Sequence, residues 1–294
     1  MATLKDVQNK ISAVKKTMQI TKAMNMVAAS KLRGAQAKME AFRPYAVKFA
    51  EVLGSLAEKA GTEASPLLTP SDQVEKINII LCTADRGLCG GFNSSLVERA
   101  NSFVEEKLGQ NIEVSFTNFG KKGRDHCRKR GYTINGEHLG IIGGNFDFSV
   151  ATVSGRQIVD EFLNGKYDEV YIIYPEFISV VRQIPLLKQI LPIPPIEVAE
   201  KETDAPYLAE HICEPSPEEL LRDLLPTSVY VQIYSALLET STSEHAARMT
   251  AMDNATNACT DMIENLTLAY NKARQAAITA DLMDIVGGAE ALKG

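Results

Sequence analysis

Apolar side chains recur at alternating steps of three and four from Leu4 to Leu56. The series runs Leu4, Val7, Ile11, Val14, Met18, Thr21, Asn25, Ala28, Leu32, Ala35, Met39, Phe42, Ala46, Phe49, Leu53, Leu56, and only Thr21 and Asn25 break it. A three–four alternation is the seam of a left-handed coiled coil. No glycine or proline precedes Gly34, so the pattern predicts one helix, roughly 80 Å long at 1.5 Å per residue. Pro44 removes one hydrogen bond, but the apolar phase resumes at Ala46, which predicts a kink rather than an end. Gly61 and the segment 62–71, with Pro66 and Pro70, close the helix with a loop. Such a helix cannot bury its seam against itself and needs a long partner.

The period changes after Val74. Short apolar runs at 77–82, 112–117 and 169–174 read as strands buried on both faces. Residues 93–108, 121–130 and 151–163 read as helices, the last with Val153, Ile158, Val159 and Phe162 on its apolar side. Residues 180–193 read as a fourth strand, antiparallel to the rest. The glycine-rich stretch 132–144 fits no element. Alternating strands and helices predict a Rossmann-like parallel α/β sheet with right-handed crossovers.

The last pattern supplies the partner helix. No proline or glycine occurs from Thr227 to Val286. This overrules the strand propensity of Val229 to Tyr234 in favour of a helix roughly 90 Å long. Its seam reads Val231, Tyr234, Leu238, Ser241, His245, Arg248, Met252, Ala255, Cys259, Met262, Leu266, Ala269, Ala273, Ala276, Ala280, Met283. The fold expected is mixed α/β. A long antiparallel coiled coil of N-terminal (1–60) and C-terminal (227–294) helices carries an inserted α/β domain (74–195), with an acidic, proline-rich connector at 196–226 that has room for a short helix at 218–224. The stagger of the two helices is not readable.

Composition narrows the function. Residues 1–60 hold eleven Lys/Arg and four Asp/Glu, whereas 197–223 hold nine Asp/Glu and two Lys/Arg, against a net charge of −6 for the whole chain. A basic helix suits an acidic protein surface, nucleic acid or anionic lipid. The five cysteines form no Cys-x-x-Cys pair and the four histidines do not join them at ligand spacing, so reduced thiols and no metal site are expected. No apolar run is long enough to cross a membrane, and the N-terminus has neither signal- nor transit-peptide character.

Three stretches invite a chemical reading. The turn Asp85-Arg86-Gly87-Leu88-Cys89-Gly90-Gly91 stands between a strand and a helix, where phosphate loops sit. It fits neither G-x-G-x-x-G nor the P-loop pattern, so a tight structural connection is expected, with Asp85 and Arg86 as a local ion pair or partner contact. Glu244-His245 lacks a nearby nucleophile and reads, with Ser241 and Arg248, as a polar contact zone of the helix. The end, Ile278 to Leu292, is apolar on more than one side, which suits a tip held inside a protein sleeve or packed on the first helix. These residues leave two rivals open: a nucleotide-dependent Rossmann-type enzyme with helical arms, and a coiled-coil scaffold or nucleic-acid-binding rod.

Three long motifs, in order along the whole chain, carry a resemblance. Ile20-Thr21-Lys22-Ala23-Met24-Asn25-Met26-Val27-Ala28-Ala29-Ser30-Lys31-Leu32-Arg33, then Asp85-Arg86-Gly87-Leu88-Cys89-Gly90-Gly91-Phe92-Asn93, then Ala273-Arg274-Gln275-Ala276-Ala277-Ile278-Thr279 with Ile285-Val286-Gly287-Gly288-Ala289 resemble the gamma subunits of the rotary ATP synthases. The resemblance implies a central rotor shaft, not itself an ATPase, with no catalytic, cofactor-binding or metal site. The implied partners are the ring of three alpha and three beta subunits, the epsilon subunit and the proton-driven c-ring, with the membrane met only through the complex, at the cytoplasmic face of a bacterial inner membrane, and with no nucleic acid. It also implies coupling contacts at Lys22 and Met24 on the first helix and at Arg248, Arg274, Gln275 and Thr279 on the last. Asp281 departs from the family's usual glutamate by one methylene. The paired-cysteine insertion of the chloroplast type is absent, so thiol regulation is not implied.

Overall fold

In this computed structural model the described residues are 4–60, 65–71, 73–110, 112–194 and 216–291. The loop expectation at 61–64 and most of the acidic connector, 195–215, lie outside them. Two compact units emerge: Ala29–Ala247, and Met1–Ala28 together with Arg248–Gly294. The first helix, α1 (Leu4–Ala60), and the last, α5 (Pro217–Ala291), each contribute to both units.

The larger unit is built on a five-stranded sheet. In chain order it contains β1 (Lys76–Cys82), α2 (Phe92–Leu108), β2 (Glu113–Phe119), α3 (Lys121–Arg130), β3 (Thr133–His138), α4 (Phe148–Leu163), β4 (Glu169–Phe177) and β5 (Gln183–Leu191). The strand order is β3-β2-β1-β4-β5. The first four strands run parallel, and β5 pairs antiparallel with β4. β1 explains its own sequence: Ile77, Ile79, Ile80 and Leu81 have no exposed surface. Ile77, Ile79 and Leu81 pack under α2, beside Leu96 and Phe103. Ile80 and Cys82 face the other core, with Ile158 of α4, Leu53 and Leu56 of α1, and Leu221, Leu225, Val229 and Ile233 of α5. Each such side chain contributes about 1.5–3 kcal/mol by burial.

Local chemistry sets several boundaries. Asp147 caps α4 by accepting from the Ser149 backbone N–H at 3.0 Å. α3 stops at Gly131, whose φ of 73° is the left-handed conformation of a helix C-cap. Gly120 has φ 101°, and a Cβ there would stand 2.0 Å from the Thr83 carbonyl oxygen. Gly155 lets α4 approach α5, since a Cβ would meet the Tyr230 ring at 2.4 Å.

Four expectations need correction. The stretch 132–144 contains β3, which the glycines disguised by breaking strand periodicity. The antiparallel strand at the end of the sheet is thus the fifth. Val153 lies on the outer side of α4 and is 69% exposed; its neighbours Ala151, Ser154 and Ile158 set the buried stripe. The last helix begins at Pro217, ten residues before Thr227, and runs through Pro226. Ser216 accepts from the Glu219 N–H at 3.2 Å, and Ser-Pro-Glu-Glu is an N-cap followed by proline at the first helical position. Burial of Leu221, Leu225 and Val229 offsets the hydrogen bond lost at Pro226.

The smaller unit pairs residues 4–28 of α1 with α5 from Arg248 onward. The helices are antiparallel. Asn25 reaches Met249, Thr21 reaches Thr256 and Met18 reaches Thr260. All sixteen positions of the α1 seam are buried or half-buried along its length. The α5 seam shifts phase after Met252. Thr256, Ile263, Tyr270 and Ala277 face inward, while Met262, Ala269 and Ala276 are exposed. Cys259, Leu266 and Ala273 belong to both readings, so a three–four series cannot choose between them; the larger side chains at 263 and 270 win.

Replacing Gly155 by valine is expected to lower stability by about 1–3 kcal/mol through overpacking against Tyr230. A fall in the urea midpoint without change in slope is the expected readout.

Candidate coupling surface

The six residues singled out for coupling all lie in the smaller unit, in two groups. Asn25 donates its side-chain N–H to the Met249 carbonyl at 2.9 Å. That bond brings the Lys22–Met24 segment of α1 to the level of Arg248 on α5. Lys22 is exposed, and Met24 and Arg248 are half-buried. Arg274, Gln275 and Thr279 are exposed and stand further along α5, beginning roughly 39 Å from Arg248 at the helical rise. The structure therefore brings Lys22, Met24 and Arg248 together and keeps the other three apart from them.

The two breaks in the α1 seam explain the register. The Thr21 and Thr256 hydroxyls are 2.8 Å apart. Thr21 is 8% exposed; within their own helices its hydroxyl also reaches the Met18 carbonyl at 3.0 Å and that of Thr256 the Met252 carbonyl at 2.8 Å, so the contact between the helices adds the modest net worth of one hydrogen bond, about 0.5–1.5 kcal/mol. A slip of one helix past the other would break both this bond and that of Asn25. The pairing also fixes the stagger. Extended from Met18–Thr260, Leu4 comes level with about residue 274, so the end of α5 runs past the described part of α1. Ile278, Leu282, Met283, Ile285 and Val286 are accordingly exposed. The apolar tip does not pack on the described part of the first helix.

Sequence reasoning missed part of this surface. Ile20, Met26 and Val27 are each about 60% exposed and flank Lys22 and Met24. Their signal was available, because they are large apolar residues that fall off the three–four series. The expected polar zone of Ser241, His245 and Arg248 does not form one surface. Ser241 and His245 are buried in the larger unit, where the His245 imidazole Nδ1 stands 2.8 Å from the Glu244 carboxylate. Arg248 belongs to the smaller unit. Buried seam residues and exposed contact residues share the same polar letters.

The glycine turn is a structural junction. Asp85 Oδ1 accepts from the backbone N–H of Lys121 at 3.1 Å and of Gly140 at 3.0 Å. It ties the end of β1 to the start of α3 and to the following loop, rather than pairing with Arg86. Asn93 accepts from Ala84 N–H at 2.9 Å and donates to the Cys89 sulfur. Leu88 and Gly90 adopt positive φ, 64° and 59°.

β1 lies between β2 and β4, where the chain reverses its direction of sheet building. Doubly wound folds bind ligands at that switch point, beyond the strands' carboxyl ends. Here α5 crosses it. Thr240, whose hydroxyl donates to the Ala236 carbonyl at 2.6 Å, stands beside Cys82 at the end of β1, and burial pushes that thiol well above its ordinary range. Glu239 accepts from Phe177 N–H at the end of β4, and Glu244 and His245 lie against Gly143. Residues 240–246 of α5 are all buried. The place where a nucleotide would sit is filled by the chain itself. Among the described residues no three His, Cys, Asp or Glu side chains cluster for a metal ion.

A doubly wound domain with a filled switch point, joined in one chain to a helix pair whose apolar side chains point outward, defines a coiled-coil protein made for contact with other chains. The ATP synthase family model matches residues 3–292. An ATP synthase gamma chain of Desulfosudis oleivorans is 64% identical over all of both chains, and that of Nitratidesulfovibrio vulgaris strain Hildenborough is 52% identical over the same full extent. Among solved structures, the central stalk and c-ring of Tetrahymena thermophila mitochondrial ATP synthase contains a chain with 25% identity and a TM-score of 0.62, covering 80% of this chain and 99% of its own. A chain of the Euglena gracilis mitochondrial ATP synthase, at 19% identity and TM-score 0.68 over 98% and 94%, shares the fold. The chain belongs to the ATP synthase gamma-chain family.

A double-mutant cycle of Thr21→Ala and Thr256→Ala is expected to give a coupling energy of about 0.5–1.5 kcal/mol. Additive effects in thermal unfolding would remove this hydrogen bond from the account of register.

Proposed function

We infer that the chain is the central rotor shaft of a bacterial ATP synthase, linking ion flow through the membrane c-ring to nucleotide turnover in the alpha–beta hexamer. The observation that carries this reading is family membership over the whole chain, joined to an exposed apolar surface on a helix pair with no partner of its own. The chain itself is non-catalytic: its switch point is filled, so chemistry falls to other subunits. Among the described residues no helix is long and apolar enough to cross a membrane. The chain meets the inner membrane at its cytoplasmic face, through the complex, and its α/β domain (74–195) meets epsilon and the ring.

The mechanism is differential contact. A shaft that touches a beta subunit equally in two states shifts nothing. Reversing a 1:99 preference requires about 5.5 kcal/mol, which at about 25 cal/mol per Å² corresponds to roughly 220 Å² of apolar surface. A few side chains such as Ile20, Met26 and Val27 suffice, provided that only one face of the shaft carries them. Lys22, Met24 and Arg248 form one coupling contact. Arg274, Gln275 and Thr279 form a second, nearer the apolar tip, which sits in the hydrophobic bearing of the ring. The basic first helix suits acidic loops of the beta subunits.

Two experiments test the reading. Mixing this chain with alpha and beta subunits of the same organism is expected to give a particle whose steady ATPase depends on the chain; nucleotide binding by the isolated chain, with no such particle, would end the rotor reading. In the assembled enzyme, Met24→Lys and Arg248→Ala are each expected to lower proton pumping per ATP hydrolysed while assembly persists. A contact loss of about 1 kcal/mol corresponds to about fivefold in the equilibrium between states. Unchanged pumping in both variants would remove these residues from the coupling contact.

A further inference from the structure

A cavity of about 490 Å³ opens within the larger unit, between α1, the β4–β5 edge and α5. Its volume lies in the range of small-molecule sites. Met39, Phe42, Ala46, Phe49, Val231 and Leu238 supply apolar walls. Four charged side chains also line it: Arg43 from α1, Glu176 from β4, Lys188 from β5 and Glu239 from α5. No two of them form a salt bridge, although opposite charges around one apolar space gain by pairing.

The four are not equivalent. Arg43, Glu176 and Lys188 are exposed, and only Glu239 is half-buried. Glu239 is anchored: one carboxylate oxygen accepts from the Phe177 N–H at 3.2 Å. Its carboxyl is raised above the ordinary range, first by burial and then by the nearby Glu176, against the lowering effects of the Phe177 N–H, Arg43 and Lys188. The half-buried Tyr174 phenol is pushed up by burial and by both carboxylates. The inner part of the cavity is thus a carboxylate-lined, aromatic-walled space. Arg43 reaches it from the rim on a long stem that can turn to water, whereas burial lowers the pKa of the Lys188 ammonium, against the raising effect of Glu239.

We propose that this cavity binds an amphiphilic organic monocation, with its apolar body among Phe42, Phe49, Val231 and Leu238 and its cationic head on Glu239. Aromatic faces and a fixed carboxylate are the chemistry that recognises a poorly hydrated ammonium. The charge of a fatty-acid anion would oppose Glu239 and Glu176, and burial disfavours the charged form of Lys188 that would attract it. The proposal does not depend on the rotor reading, because every residue it uses lies in one compact unit of the chain.

The test is isothermal titration of the purified full-length chain with decyltrimethylammonium below its micelle threshold, beside sodium decanoate. Saturable one-to-one binding of the cation and none of the anion is expected. Glu239→Gln keeps an oxygen for the Phe177 N–H and removes the charge; it is expected to weaken cation binding about tenfold or more. Ala46→Phe fills the cavity and is expected to abolish binding, with the circular dichroism spectrum unchanged in both variants. Cation affinity is expected to be full above the raised pKa of Glu239 and to fall as the pH drops through it and the carboxylate takes up a proton. Failure to saturate, equal affinity in Glu239→Gln, undiminished binding in Ala46→Phe, or preference for decanoate would each overturn the proposal.

Discussion

The apolar seam of α1 has to be covered, and the rest of the molecule follows from how it is covered. An isolated helix of this length with half-exposed leucines and phenylalanines draws little stability from propensity; burial of its apolar face decides whether it forms. α5 supplies that cover in both units. In the larger one, Phe42 meets Tyr234 edge-on at 4.7 Å, and Leu53 and Leu56 reach the sheet's core. In the smaller one the cover is thinner, and Thr21 and Asn25 add hydrogen bonds that only one register satisfies. Apolar contact alone tolerates sliding by a heptad, whereas the bonds of Thr21 and Asn25 to α5 form in one register.

The same helix decides what the α/β domain cannot be. Its strand order and glycine turn belong to a fold that often holds nucleotides, yet Thr240 to Ala246 lie across the end of β1 where such a ligand would sit. The backbone N–H groups of Lys121 and Gly140 go to Asp85 and that of Ala84 goes to Asn93, so these side chains tie the junction together.

Outward presentation is also where the function resides. The exposed apolar side chains of α1 and of the α5 tip cost free energy in water. A folded chain retains them because a partner covers them. Rotation requires that such contacts differ from one face to another; on the helix, Ile20 and Val27 share one face of α1 and Lys22 lies on the opposite one.

Much of this was legible in the residues alone. The α1 seam was read at every position, because a three–four repeat over eight heptads has one phase and one partner face. Three of the four parallel strands were visible as apolar runs, since strands inside a parallel sheet are buried on both sides, and the antiparallel β5 was read beside them. β3 was not, because an edge strand containing Gly136 lacks that run. The start of α5 was written in Ser216-Pro217 but hidden by Pro226, whose cost only the buried Leu221, Leu225 and Val229 offset. Of the candidate contacts, the sequence named the residues by family motif, and their grouping required coordinates. What the sequence by itself determined was periodicity, hence helices, strands and family, because these depend on spacing along one chain. Register, the α5 phase after Met252, the filling of the switch point and the exposure of the tip were decided only by tertiary structure, because each depends on which surface of a distant segment arrives opposite.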